Sequence, residues 1–341
     1  QVPWSRDGTF YLALVLAGFT MIFGARHLDT TERHEGMVAA IAFESLVKLV
    51  AFLAVGVFVT YGLYNGFADI FARAHAQPDL RDLMRLEQGT AFAWPHWFTM
   101  TVLAMLALLM LPRQFQLMVV ANVHEDHLRR ASWVFPAYLL AINIFVLPIA
   151  LGGLMYFAGQ TTNPDNFVLS LPLAAGQHAL ALFVFVGGLS AATGMVIVES
   201  IAVSIMVSNE LVLPLLLRWR ALLGQGMADL SRILLNIRRI TILLLLLLGY
   251  AYFHIASEAY ALVSIGLISF AAVAQFAPAA LIGMYWRAGT RLGALGGLLS
   301  GFGIWAYTLM LPSIAKSGWI GDAFVRDGPG GLAWLKPEAL F

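Results

Sequence analysis

Eight long apolar runs, separated by short polar joins, dominate the chain: 9–27, 37–64, 97–121, 133–158, 178–208, 236–257, 261–286 and 291–314, here spans A to H. A transmembrane helix needs about 20 largely apolar residues. Only helices and closed barrels satisfy their backbone inside lipid, and the runs lack the two-residue alternation of a barrel. The pattern therefore predicts an all-α polytopic membrane protein. Two longer polar stretches remain. In 65–96 a short surface helix is expected from Leu80 to Leu86. In 209–239, Asp229-Leu230-Ser231-Arg232 and Arg238-Arg239 among aliphatic residues predict an amphipathic helix along the cytoplasmic face.

Composition closes off the alternatives. Of 341 residues, 60% are hydrophobic and 11% charged, with no cysteine. A soluble domain has about 25% charged residues and cannot bury so much apolar surface. Twenty Lys and Arg against 19 Asp and Glu leave no basic footprint for nucleic acid. Disulfides and thiolate metal centres are excluded.

Charge in the joins sets the orientation. With the N-terminus outside, the inward joins carry eleven arginines: Arg26, Arg33, Arg129, Arg130, Arg218, Arg220, Arg232, Arg238, Arg239, Arg287 and Arg291. The short outward joins 159–177 and 258–260 carry none. The positive-inside rule places the arginine-bearing side in the cytoplasm. Gln1 directly before an outside-facing first span, and a C-terminus without a stop-transfer pattern, are expected of an excerpt from a longer polypeptide.

Ionisable residues inside spans are costly and mark function. Glu44 and Lys48 stand one helical turn apart in span B, as an internal ion pair or as a proton-coupling pair. Pro112-Arg113-Gln114 interrupts span C, where a broken helix would free backbone groups for a solute and Arg113 would meet a carboxylate; a plain proline kink is the alternative. Span E carries Gly187-Gly188-Leu189-Ser190-Ala191-Ala192-Thr193-Gly194, then Glu199. Close helix packing explains the small residues, while Ser190 and Thr193 offer hydroxyls to a cation. Gln275-Phe276-Ala277-Pro278 in span G is a second expected interruption, or one interhelical hydrogen bond. His124 and His127 are expected in a solvated loop. No Walker loop, nucleophile elbow or HExxH is present.

Several of these segments resemble the sodium/solute symporter family: Leu262-Val263-Ser264, Ala274 to Pro278, Met284-Tyr285-Trp286, Gly293-Ala294-Leu295 with Gly297, and Phe23-Gly24 followed by Thr31-Glu32 and Glu35. The resemblance implies a leucine-transporter-like inverted-repeat bundle of which spans A to H would be core helices four to eleven. Arg26 to Gly36, Ala39 to Leu49, Leu111 to Phe115, Ser190 to Met195 and Asp229 to Arg232 are closer still to the transporter-like module of CbrA-type sensor histidine kinases. That likeness runs over essentially the whole chain.

The resemblance implies a membrane transport or sensor domain of a bifunctional transporter–histidine kinase in the bacterial inner membrane. It would take up or sense an amino acid, histidine, by alternating access. Kinase domains, which would use ATP, and a response regulator would be partners of the longer protein. A receptor without turnover and a stand-alone symporter are the alternatives. Pro112, Arg113, Gln114, Gln275 and Phe276 are the expected substrate contacts. The family's sodium-binding hydroxyl pair falls on Gly194-Met195 here, and a thioether is a poor sodium ligand. Sodium at Ser190 and Thr193 and protons at Glu32, Glu44 with Lys48, or Glu199 are the two coupling routes.

Overall fold

A computed structural model describes residues 7–24, 35–84, 93–120, 122, 124–160, 162–223, 230–256, 262–316 and 325, and among them there is helix and no strand. Span A is α1 (Gly8–Gly24), an apolar helix of 17 residues, below the usual spanning length. Span B is α2 (Glu35–Val57), closed by a π-helical turn over Phe58–Leu63. The following polar stretch holds α3 (Phe67–Ala76) and α4 (Pro78–Leu83). The expected surface helix thus ends at Leu83 and a second precedes it. Ile70 and Ala74, four apart, give α3 the buried face that 65–96 was not expected to have.

Span C is α5 (Ala93–Met110) followed, after a 54° bend at Leu111, by α6 (Pro112–Phe115) and a π-turn over Gln116–Val120. Span D begins earlier than its apolar run, as α7 (Glu125–Asn143), and continues as α8 (Val146–Tyr156). His127, expected in a loop, therefore lies in the first turn of α7, where Glu125 and Asp126 favour helix initiation. After α9 (Phe167–Ala174), span E is α10 (His178–Met206), a π-turn over Val207–Val212 and α11 (Leu213–Leu223). His178–Arg218 forms one apolar helix of 41 residues. The amphipathic helix expected in 209–239 is thus corrected: its first part prolongs span E, and its last part opens α12 (Leu230–Ala256), which is span F.

Span G is α13 (Leu262–Ala274), a π-turn over Pro278–Ile282 and α14 (Gly283–Tyr285). Span H is α15 (Arg291–Trp305), a π-turn over Ala306–Met310 and α16 (Leu311–Lys316). Among the described residues six helices are long and apolar enough to cross a membrane, and a seventh span is counted if the bent C pair is taken as one. The protein is a multi-pass, all-α membrane protein.

Proline accounts for most of the irregularity, since it lacks an N–H and clashes with the carbonyl four residues back. Pro148 stands four after Ile144, where α7 gives way to α8, and Pro278 stands four after Ala274, where α13 ends. Pro214 and Pro312 each follow a π-turn by two residues, and the wider turn absorbs the missing donor.

The chain divides into two compact units: Gln1–Thr30, Thr99–Gln116 and Glu199–Phe341 in one, Thr31–Phe98 and Leu117–Val198 in the other. The second has a core of Val55, Val59, Ile70, Ile149, Phe167 and Leu171, each at most 3% exposed. Tyr64 closes it, its hydroxyl donating to the Gly152 carbonyl at 2.9 Å. Gly66, with φ of 102°, turns the chain from the π-turn into α3. In the first unit α1 packs on α12, with Ala17, Thr20 and Ile242 fully buried.

Glycine decides how closely α8 and α9 approach. A Cβ on Gly153 would collide with the Phe167 ring, whereas one on Gly188 meets open space. Gly153→Leu is expected to cost about 1–3 kcal/mol by overpacking, and Gly188→Leu to leave the thermal midpoint in detergent unchanged or higher. Equal midpoints for the two variants would refute this packing.

Candidate functional site

The break in span C follows from one residue pair. Leu111 precedes proline and is extended, with ψ of 129°, so α5 stops and the helix restarts at Pro112 in a new direction. A restarted helix leaves its first N–H groups without intrahelical acceptors and carries partial positive charge there. Glu199 on α10 stands near this end, where the Arg113 cation and, less strongly, its backbone N–H attract the carboxylate. Pro112, Arg113, Gln114 and Glu199 are all half-buried. Glu199 has no partner in its own sequence neighbourhood; the fold brings it near the broken helix, so the place foreseen for a solute carboxylate has one of the protein's own close by.

Span G is different. Gln275 sits at the turn after α13, but Ser264–Tyr285 runs as one helix, so the expected interruption is corrected to a π-helical accommodation of Pro278. The Gln275 amide Nε2 donates back to the Ala271 carbonyl at 3.1 Å. Its Oε1 stands where a Cβ on Gly301 of α15 would be. Phe276 meets Phe302 edge to face at 5.2 Å, and the Trp305 indole donates to the Ile268 carbonyl at 2.9 Å. Gln275 and Phe276 thus belong to the α13–α15 contact. An open cleft of ≈ 660 Å³ between these helices is lined by Gln275 and by none of Pro112, Arg113, Gln114 and Phe276. That cleft brings only Gln275 of the five expected substrate contacts to its walls.

In the other unit Glu44 crosses to span E. Its carboxylate lies against Gly194, in the space a side chain would need. Tyr138 stands beside it, donating to the Ser45 carbonyl at 3.2 Å. Lys48 is half-buried one turn on and is in no ion pair among the described residues. Thr193 is half-buried and Ser190 exposed, so the two hydroxyls do not form one buried pair. Glu32 lies outside the described residues. Glycine at 194 therefore has a specific use: it lets an intramembrane carboxylate reach the α10 backbone.

Three features escaped the sequence reading. Thr60 and Ser208 are fully buried hydroxyls inside π-turns, with no side-chain hydrogen bond among the described residues. Each is an ordinary Ser or Thr until the π-turn is known. Asp7 caps α1, accepting from the Thr9 N–H at 2.9 Å and from the Tyr250 hydroxyl at 2.8 Å. Tyr250 stacks on His254. The Tyr250 bond, first, and the Thr9 bond hold the Asp7 carboxyl below its usual range. The 243 residues between Asp7 and Tyr250 hid this contact.

Comparison with family models, with curated proteins and with solved structures finds no match.

Two outcomes test these contacts. Gly194→Ala is expected to destabilise by about 1–3 kcal/mol, against the roughly 1 kcal/mol that Ala gains over Gly in a helix. Pairing it with Glu44→Ala should recover most of the loss; additive effects would show that the carboxylate does not occupy the glycine's space. A folded carboxyl titrating below its unfolded value stabilises above the unfolded pKa, and the benefit disappears as pH falls through the folded one. Asp7→Asn should therefore lower the thermal midpoint at pH 6, with the gap closing towards about pH 2. A gap independent of pH would contradict the Asp7–Tyr250 bond.

Proposed function

We propose that this chain is the membrane module of a bifunctional transporter–histidine kinase of the bacterial inner membrane. It takes up or senses an amino acid, histidine, by alternating access. The observation that carries this reading is the discontinuous span C with the Glu199 carboxylate on its restarted half. Broken helices that present backbone ends to polar partners are the working parts of secondary transporters. Resemblance to the symporter family supplies the finer fold, a leucine-transporter-like bundle of core helices four to eleven, and the kinase connection supplies a response regulator as downstream partner.

Coupling is assigned to protons. A proton on Glu199 removes the charge that holds it to Arg113 and frees the half-helix end for a solute carboxylate; losing the proton restores the internal contact. Glu44, seated on Gly194, is the second proton-carrying candidate. Sodium is the less favoured ion, because Ser190 is exposed and Met195 is a poor ligand.

Uptake of labelled histidine into vesicles bearing the full polypeptide tests the reading. Wild type should accumulate substrate under an inward proton gradient without sodium. Arg113→Ala should lower uptake at least about tenfold, the worth of about 1.4 kcal/mol, and Glu199→Gln should abolish its dependence on the pH gradient. Strict sodium dependence would overturn proton coupling. Unchanged uptake in Arg113→Ala would remove the helix break from the mechanism. Saturable binding without accumulation would make the module a receptor.

A further inference from the structure

Spans G and H are the least covered helices of the molecule. In each, 6% of the apolar window is buried by the rest of the chain, against 17–28% in the other four long spans. Between them opens the cleft of ≈ 660 Å³. Gly283 on α14 and Gly293, Ala294 and Gly297 on α15 leave room between Ile282 and Leu298, so most of its wall is apolar. From Arg291 to Leu298 it follows α15 for about 10 Å at 1.5 Å per residue. Gln275 also lines it, its amide nitrogen already bonded to its own helix.

The mouth has a different chemistry. Trp286 and Arg291 line it, and Arg287 follows Trp286 directly. All three are exposed, and neither arginine is in an ion pair among the described residues. Nor does the hairpin offer a carboxylate: between Glu258 and Asp322 the chain has no acidic residue. Arginine distribution places this end of the hairpin at the cytoplasmic interface, where tryptophan favours the headgroup level and anionic lipids are concentrated. A largely apolar cleft running into the hydrocarbon beneath two cations with no ion pair among the described residues has the shape and charge of one kind of occupant.

The geometry points to a bound anionic phospholipid, with one acyl chain in the Gly283–Gly293–Gly297 cleft and its phosphate on Arg287 and Arg291. This site is independent of any transport activity. It holds for a transporter, a receptor or neither. Basic pockets between transmembrane helices on the cytoplasmic side are known to hold such headgroups. The small residues serve the acyl chain, since any larger side chain at 297 would occupy its space: a Cβ there meets nothing within 4 Å.

Native mass spectrometry of the full chain, released from micelles doped with equal phosphatidylglycerol and phosphatidylcholine, tests the assignment. Wild type should retain phosphatidylglycerol preferentially. Each cation near an anionic headgroup is worth about fivefold, so Arg287→Gln with Arg291→Gln should lower the preference by up to about 25-fold. Gly297→Leu keeps both charges, fills the cleft and favours the helix; it should lower retention of both lipids. Helix content and elution volume of each variant establish that it is folded, and the two variants act through different parts of the site. Equal retention of the two lipids by wild type, or a preference unchanged in the double variant, overturns the proposal. So does undiminished retention in Gly297→Leu, or a dimer that Gly297→Leu dissociates, which would make a second copy the occupant.

Discussion

In hydrocarbon, no water is available to a main-chain N–H or C=O that its own helix leaves unpaired. That constraint governs this molecule more than side-chain packing does, because most of the apolar surface faces outward in every span. It bears on how five of the prolines are accommodated, while Pro136 and Pro172 lie inside α7 and α9. Pro148, Pro214, Pro278 and Pro312 are absorbed by a short break or by a π-helical turn. At Leu111–Pro112 the chain instead changes direction, and the Glu199 carboxylate of another helix stands near the end so exposed.

The two intramembrane carboxylates illustrate how a membrane protein tolerates charge. Neither lies loose in lipid. Glu199 lies within the attraction of the Arg113 guanidinium and backbone N–H; Glu44 is tucked against a glycine on the facing helix. Both arrangements use features of α10, one a residue with a side chain and one a residue without. The long helix thus offers two different seats to ionisable groups, one within each compact unit.

How much was readable beforehand follows from the range of the interactions involved. The spans were legible because hydrophobicity is local and lipid thickness sets a length. The span C break was legible because a residue before proline is itself restricted. Span G carried the same Pro signal, yet a π-turn kept that helix whole; which outcome prevails depends on neighbours such as Gly301 that periodicity does not identify. The Glu199–Arg113, Glu44–Gly194 and Asp7–Tyr250 contacts join residues 86, 150 and 243 positions apart, and nothing in composition pairs them. The stretch from Val207 to Leu223 misled because a leucine-rich segment with interspersed arginines has the same pattern whether it lies along a surface or prolongs a span.

That prolongation has a mechanical side. A helix of 41 residues is about 61 Å long, while the hydrocarbon layer is about 30 Å thick. Even tilted by 40°, the steepest lean usual for such helices, it would rise about 47 Å. At least a quarter of the rod therefore stands clear of the acyl layer.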